Sequence, residues 1–339
     1  MDVCLSSPRS ERATTARLAD GFGRRITYLR LSVTDRCNLR CFYCMGGDVK
    51  FLPKGEILSL EELERLAAAF ARFGVRKIRL TGGEPLARPG VMRLVERLGT
   101  WIGAGDMDEL TLTTNGTLLG RCAGGLAAAG VRRINVSLDT LDAFTFRRIA
   151  RQDGLSQVLA GIAAARGAGL AVRINVVAMG GINDAEFDHM VQWCGDQGCD
   201  MALIEVMPFG RASENYLPLH LVREHLGRRW TLEPLDDCTG GPARYWRVGE
   251  TGRRLAFITP MSHDFCASCN RVRLTCSGRL VLCLGQEDSV DLRPALRGCD
   301  SDERLDQLIL DAVAAKPAGH LFANDRPRAT VRPMWQVGG

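Results

Sequence analysis

The 339-residue sequence has no run of about 18 apolar residues, the length a helix needs to cross a bilayer. Its first twenty residues contain no apolar core of the kind that marks a secretory signal. They carry Arg, Ser and Thr, but Asp2 and Glu11 argue against a transit peptide, and residues 1–19 read as a flexible extension. A strong charge of either sign is also missing. The 44 Lys and Arg exceed the 39 Asp and Glu by only five, too few to point to nucleic acid but compatible with a small anion held by a few local arginines. Without span or leader, the expected compartment is the cytoplasm, where the 13 cysteines bind metal or stay free more often than they pair.

What is present is an ordinary globular composition, 46% hydrophobic and 24% charged, long enough for one large α/β domain or two smaller ones. Apolar, β-branched segments predict strands at 28–34, 77–83, 109–116, 133–139, 172–178 and 201–208. Helical patterns lie between them: Ser59 is an N-cap with Glu62 at the capping-box position and Gly74 as the stop, and further helices fall near 89–102, 117–129, 141–168 (broken at Gly154) and 184–198. Six strand–helix units predict a parallel sheet with helices outside it and an active site in the loops after the strands. Six units are too few for a closed eight-stranded barrel, so an open partial barrel is expected. Beyond residue 210 the pattern changes to a helix near 218–229, strands "ARYWRV" and "RLAFITP", a hairpin turning at Ser277-Gly278, and a helix near 301–315. No low-complexity linker separates the two parts, so they are expected to pack together.

Cys37, Cys41 and Cys44 lie within "DRCNLRCFYC". A structural zinc site would need a fourth ligand from a second CxxC or a histidine pair, yet the nearest histidine is His189 and Cys4 is remote across a strand. Three thiolates on one tight loop suit a four-iron cubane with one iron left open. A second group, Cys266, Cys269 and Cys283, has the spacing C-x2-C-x13-C. It fits three-quarters of a zinc ribbon completed by His263 or Cys276, or a second cluster with an open iron; beside the first group the cluster is the better reading. Cys4, Cys122, Cys194, Cys199, Cys238 and Cys299 show no comparable spacing and read as small buried or surface thiols. Arg30 and Arg79 each interrupt an apolar strand, "YLRLSV" and "KIRLTG". Inside a barrel such a charge is costly unless paired or met by a ligand; on an outer strand it would be snorkelling or ion-paired.

The C-x3-C-x2-C spacing with Tyr43 before the third cysteine resembles the radical S-adenosylmethionine superfamily. With "KIRLTGGEPL", "TTNG", "INVSLD", "DFCASCNRVRL" and the final "GG", the chain from Asp20 to Gly339 resembles the GTP 3′,8-cyclase family, which opens molybdenum cofactor biosynthesis. The resemblance implies an incomplete (β/α)6 barrel over residues 20–210 and a C-terminal α+β extension over 211–339 carrying a second iron–sulfur site. It implies two [4Fe-4S] clusters, on Cys37, Cys41 and Cys44 and on Cys266, Cys269 and Cys283. S-adenosylmethionine would meet Tyr43, Gly83, Glu84, Ser137 and Met207, with Gly83 letting backbone approach the methionine moiety and Glu84 holding its ammonium group.

GTP would meet Arg30, Arg79, Thr113, Arg271, Val272 and Arg273, whose guanidinium groups suit phosphate. Arg173 stands where the family usually has lysine, and Val337 where it usually has isoleucine. Gly338 and Gly339 would reach into the active site and serve the chemistry with Arg271 and Arg273. The implied lyase reaction uses a 5′-deoxyadenosyl radical to take the 3′ hydrogen of GTP and closes the ribose carbon onto C8 of guanine, giving (8S)-3′,8-cyclo-7,8-dihydroguanosine 5′-triphosphate. Implied partners are a low-potential electron donor (flavodoxin or ferredoxin) and a downstream cyclic pyranopterin monophosphate synthase; a homodimer is compatible with the sequence, and neither nucleic acid nor membrane is expected. The rival readings are a peptide-maturing radical enzyme with an auxiliary cluster and a non-enzymatic zinc-binding protein, which GTP binding and metal content would separate.

Overall fold

A computed structural model describes residues 17–45, 49–207, 214–236, 242–262, 265–298, 302–322 and 334–338. Strands β1 (Tyr28–Ser32), β2 (Lys77–Thr81), β3 (Glu109–Thr114), β4 (Arg133–Ser137), β5 (Ala171–Ala178) and β6 (Asp200–Glu205) run parallel in chain order. Helices α1 (Leu60–Arg72), α2 (Val91–Gly103), α3 (Leu119–Ala128), α4 (Ala143–Ala150), α5 (Leu155–Gly167) and α6 (Phe187–Asp196) connect them. The predicted capping box closes α1: Ser59 Oγ accepts the Glu62 amide at 3.1 Å, and Glu62 accepts the Ser59 amide at 2.7 Å. The expected break near Gly154 is also present, since α4 stops at Arg151 in the left-handed region (φ 54°) and α5 starts at Leu155.

Alternation along the strands decides where the site lies. Leu29 and Leu31, Ile78 and Leu80, and Ile134 and Val136 are buried with the apolar faces of the helices in one core. Burying each such side chain contributes roughly 1.5–3 kcal/mol. The intervening residues, Tyr28 and Arg30, Lys77 and Arg79, Arg173 and Asn175, line an internal cavity instead. Charged and polar side chains thus enter the interior of this barrel, where a closed barrel would be packed with branched aliphatics.

The later elements are α7 (Leu219–Leu226), β7 (Leu232–Leu235), β8 (Ala243–Val248), β9 (Arg254–Ile258), β10 (Arg271–Leu274), β11 (Arg279–Val281), β12 (Ser289–Asp291), α8 (Arg293–Gly298) and α9 (Glu303–Ala314). They build outward from both edges of the parallel core, giving one 12-stranded sheet in the order β12-β11-β10-β1-β2-β3-β4-β5-β6-β9-β8-β7. β10 pairs parallel to β1, and β9 pairs parallel to β6. The parallel run therefore continues one strand beyond each side of the six predicted from sequence. It stays open, because antiparallel β11 and β12 cover one margin and β8 and β7 the other. Cys266 and Cys269 fall in the chain between β9, which lies beside β6, and β10, which lies beside β1. Among residues assigned by sequence to an N-terminal extension, 1–16 lie outside the described residues. Leu18 is buried, its amide bonded to the Phe73 carbonyl at 3.2 Å. Among the described residues no helix is long and apolar enough to cross a membrane.

Candidate active site

The open barrel encloses a cavity of about 360 Å³, and all six cysteines singled out from sequence line it. Cys37, Cys41 and Cys44 follow the C-terminal end of β1. Cys266 and Cys269 precede β10, and Cys283 follows β11. Because β10 runs parallel to β1, the two groups sit at opposite ends of the strands, separated by the five residues of β1, roughly 16 Å.

The first loop is fixed from several sides. The amides of Arg40 and Phe42 bond to the carbonyls of Ala150 and Ile149 at 2.9 and 3.0 Å. Cys37 Sγ accepts the Leu39 amide at 3.4 Å and Asn115 Nδ2 at 3.6 Å, and the Trp335 amide donates to Cys44. Amide donors aimed at sulfur suit thiolates bound to iron. As free thiols they sit in apolar surroundings, which pushes Cys44 up to about 12 and Cys41 well above the usual range. Among the described residues no three His, Cys, Asp or Glu side chains converge on a single metal ion; a cubane asks each thiolate for a different iron.

The glycine motif after β2 serves this loop. A Cβ on Gly83 would lie 2.3 Å from the Arg36 carbonyl oxygen, and the amides of Gly83 and Glu84 donate to Thr34 and Arg36, both at 2.8 Å. Glycine is needed here for contact with the cysteine loop. Gly83, Tyr43, Ser137 and Met207 line the cavity, but Glu84 is not among its lining residues. Glu84 is fully buried; Leu86 N and Thr114 Oγ1 donate to one of its oxygens at 2.9 and 2.8 Å, and Asn115 N to the other at 2.7 Å. Burial raises its pKa to about 7, although those three donors oppose the rise. Tyr43 donates to Asp139 Oδ2 at 2.7 Å, and Val177 N donates to the other oxygen at 2.8 Å. Burial lifts Asp139 to about 6.

The middle of the cavity is cationic. Parallel register sets Arg273, Arg30 and Arg79 in one row across β10, β1 and β2. Burial and then the Arg273 charge push Arg30 well below its ordinary value; burial and Arg271 bring Arg273 to about 10, and burial and Arg79 bring Arg173 to about 10. Thr113, Arg271 and Val272 complete the set expected to contact the substrate, and all line the cavity. Arg173, in place of the family's lysine, donates to Tyr245 Oη on β8 at 3.1 Å and to Asn175 Oδ1 at 3.2 Å, so the extension holds its fork. Among the described lining residues the carboxylates are Asp139 and Glu205. Glu205 is occupied as fully as Asp139, by Ser262 Oγ at 2.6 Å and the amides of Met261 and Ser262. The surplus positive charge therefore calls for an anion.

The second cysteine group is held by a clamp that sequence reasoning missed. Arg24, ion-paired with Asp20 at 2.6 Å, donates to the carbonyls of Cys266, Ala318 and Pro317 at 2.7, 2.6 and 2.5 Å. Buried Lys316 donates to the Leu282 carbonyl at 2.5 Å. Burial opposes ionisation of Cys269, but Lys316 and Arg271 outweigh it and lower its pKa. Cys276 is buried near Asp35 and Arg88 and does not line the cavity. The C-terminal residues 334–338 meet the arginines, with Arg30 donating to the Gly338 carbonyl at 3.0 Å and Arg273 to the Val337 carbonyl at 3.4 Å. Gly338 has φ 82°, and a Cβ there would be 2.5 Å from Thr81 Oγ1. Gly339 and His263 lie outside the described residues.

An open parallel barrel with a three-cysteine loop after its first strand defines the radical S-adenosylmethionine class. The chain matches the Radical SAM superfamily over residues 31–194 and Molybdenum Cofactor Synthesis C over residues 199–322. Its fold resembles the crystal structure of Streptococcus suis SuiB bound to S-adenosylmethionine, with a TM-score of 0.60 at 14% identity over 86% of this chain and 68% of that one. It is 54% identical over 341 residues to the GTP 3′,8-cyclase of Sinorhizobium medicae (strain WSM419), covering 98% of both chains. It is 53% identical over 332 residues to that of Brucella canis (strain ATCC 23365 / NCTC 10854 / RM-666), covering 96% of both. The chain belongs to the GTP 3′,8-cyclase family.

Proposed function

We propose that this protein converts GTP to (8S)-3′,8-cyclo-7,8-dihydroguanosine 5′-triphosphate, the first step of molybdenum cofactor biosynthesis. The observation that carries the reading is a single cavity with a three-cysteine group at each end and buried arginines between them. With S-adenosylmethionine bound, a [4Fe-4S] cluster on Cys37, Cys41 and Cys44 supplies one-electron cleavage of the sulfonium and so a carbon radical for the substrate.

The protein's own contribution is placement. Tyr43, Gly83, Ser137 and Met207 line the S-adenosylmethionine side, and Glu84 braces the same wall from behind. Arg30, Arg79, Arg173, Arg271 and Arg273, with Thr113 and Val272, take the nucleotide. Cys266, Cys269 and Cys283 would hold a second [4Fe-4S] cluster, which would supply a metal contact for the guanine. Gly338 closes the remaining side and excludes water, and the role expected of Gly339 falls outside the described residues. The reductant is a low-potential donor such as flavodoxin or ferredoxin, and the product passes to a cyclic pyranopterin monophosphate synthase.

The test is iron and sulfide content after anaerobic reconstitution, for the wild type and for a Cys266→Ala, Cys269→Ala, Cys283→Ala variant, followed by product identification with GTP. About eight irons falling to about four, with loss of cyclisation, is the expected result. Four irons in both proteins would remove the second cluster and the guanine anchor with it.

A further inference from the structure

Tyr28 begins β1, between Lys77 on β2 and Arg271 on β10 in the parallel register. It is 4% exposed and lines the cavity. Its hydroxyl has no hydrogen-bond partner, and neither do Arg79 Nε or Arg271 Nη2, although all three atoms are buried. Buried donors in a folded protein are satisfied by protein, water or ligand, and leaving one unpaired costs about 1–3 kcal/mol. Three such donors together, among guanidinium groups, ask for a ligand with several anionic oxygens. The Tyr28 ring also carries cations on its π-face: Lys77 Nζ lies 5.1 Å and Arg79 Cζ 5.5 Å from its centroid. Lys77 is held on its other side by Glu109 at 2.5 Å.

We propose that Tyr28 is a substrate-binding residue, donating its hydroxyl to a non-bridging oxygen of the nucleotide's triphosphate while its ring sets Lys77 and Arg79 for the same group. This rests on the reading of the cavity as a GTP site and extends it to a residue whose neutral side chain gives no electrostatic cue. The surroundings make the bond depend on pH. Burial alone would raise the pKa of the phenol, but Arg79, Arg30, Lys77 and Arg271 pull it down to about 8. Arg273 on β10 and Arg173 on β5 also face it, and the carboxylate nearest these cations, Glu109, is engaged by Lys77 and Arg133. Above that pH the hydroxyl is lost as a donor, and the phenolate repels phosphate.

The experiment compares GTP and guanosine binding to the anaerobically reconstituted holoenzyme, as wild type, Tyr28→Phe and Tyr28→Leu, at pH 7 and pH 9. Phenylalanine should weaken GTP about tenfold or more at pH 7 and leave guanosine within about twofold, the effect of one lost bond to a charged group. Leucine, which also removes the ring, should weaken GTP further. Wild-type affinity for GTP should fall from pH 7 to pH 9 more steeply than that of the phenylalanine variant. GTP binding by Tyr28→Phe within about twofold of wild type would overturn the assignment, and so would equal weakening of GTP and guanosine, the mark of a purely structural role. A wild type that prefers neither ligand would overturn it together with the GTP reading on which it rests.

Discussion

Glu84 illustrates how one residue's setting exceeds what its type announces. Its carboxyl titrates near 7 in the folded protein against an ordinary 4.5. The unfolded chain therefore releases its proton first, and the folded state loses stability as pH climbs from about 4.5 through 7, by about 3 kcal/mol over the interval. Glu84→Gln removes that slope. The urea midpoint of the wild type relative to the variant is expected to fall between pH 5 and pH 8; parallel midpoints would show that the carboxyl does not titrate there. Sequence made Arg30 and Arg79 conspicuous, because a charge in an apolar strand is an anomaly that demands a reason. It gave no such hint for Tyr28, whose type is ordinary in a strand, nor for Asp139, which is hidden at the end of a motif in which Ser137 drew the attention. Orientation decided the role of each, and orientation is set by partners far away in the chain.

At the level of elements, the six βα units were legible because period-2 and period-3.6 patterns alternate cleanly and the capping box marks the first helix. Three short elements were not. β7 contains Pro234, which argues against a strand and is tolerated because the strand lies at the sheet's edge. β12 has three residues and α8 six with Pro294 near its start, too short for any period to show. The attachment of β9 and β10 to opposite edges was invisible for another reason, since parallel pairing of such distant segments leaves no local trace. The Arg24 clamp lies in the same category. Arg24→Ala would release three carbonyls and leave Asp20 unpaired. We expect a lower melting temperature and reconstitution that loses iron from the second cysteine group while retaining the first. Arg24→Lys should rescue little, because one ammonium cannot serve the Asp20 carboxylate and three carbonyls in a fixed fork. Full iron content in Arg24→Ala would show that the loop holds its shape alone.

For the molecule as a whole, the extension completes the sheet. Without it β1 and β6 would be bare edges, each a row of unpaired amides and carbonyls. A fragment ending at residue 210 is therefore expected to sediment with insoluble material when expressed alone, and a soluble monomeric fragment would show that the partial barrel is self-sufficient.

The same arrangement sets a clock on synthesis. Thr27, just ahead of β1, is bonded by Asn270, just ahead of β10, 243 positions later. At ordinary elongation rates the ribosome needs on the order of ten seconds to a minute to make that stretch. For all of that time the first strand waits in the nascent chain without its neighbour, open to the wrong one. The strands that guard both margins are among the last parts of the protein to be made.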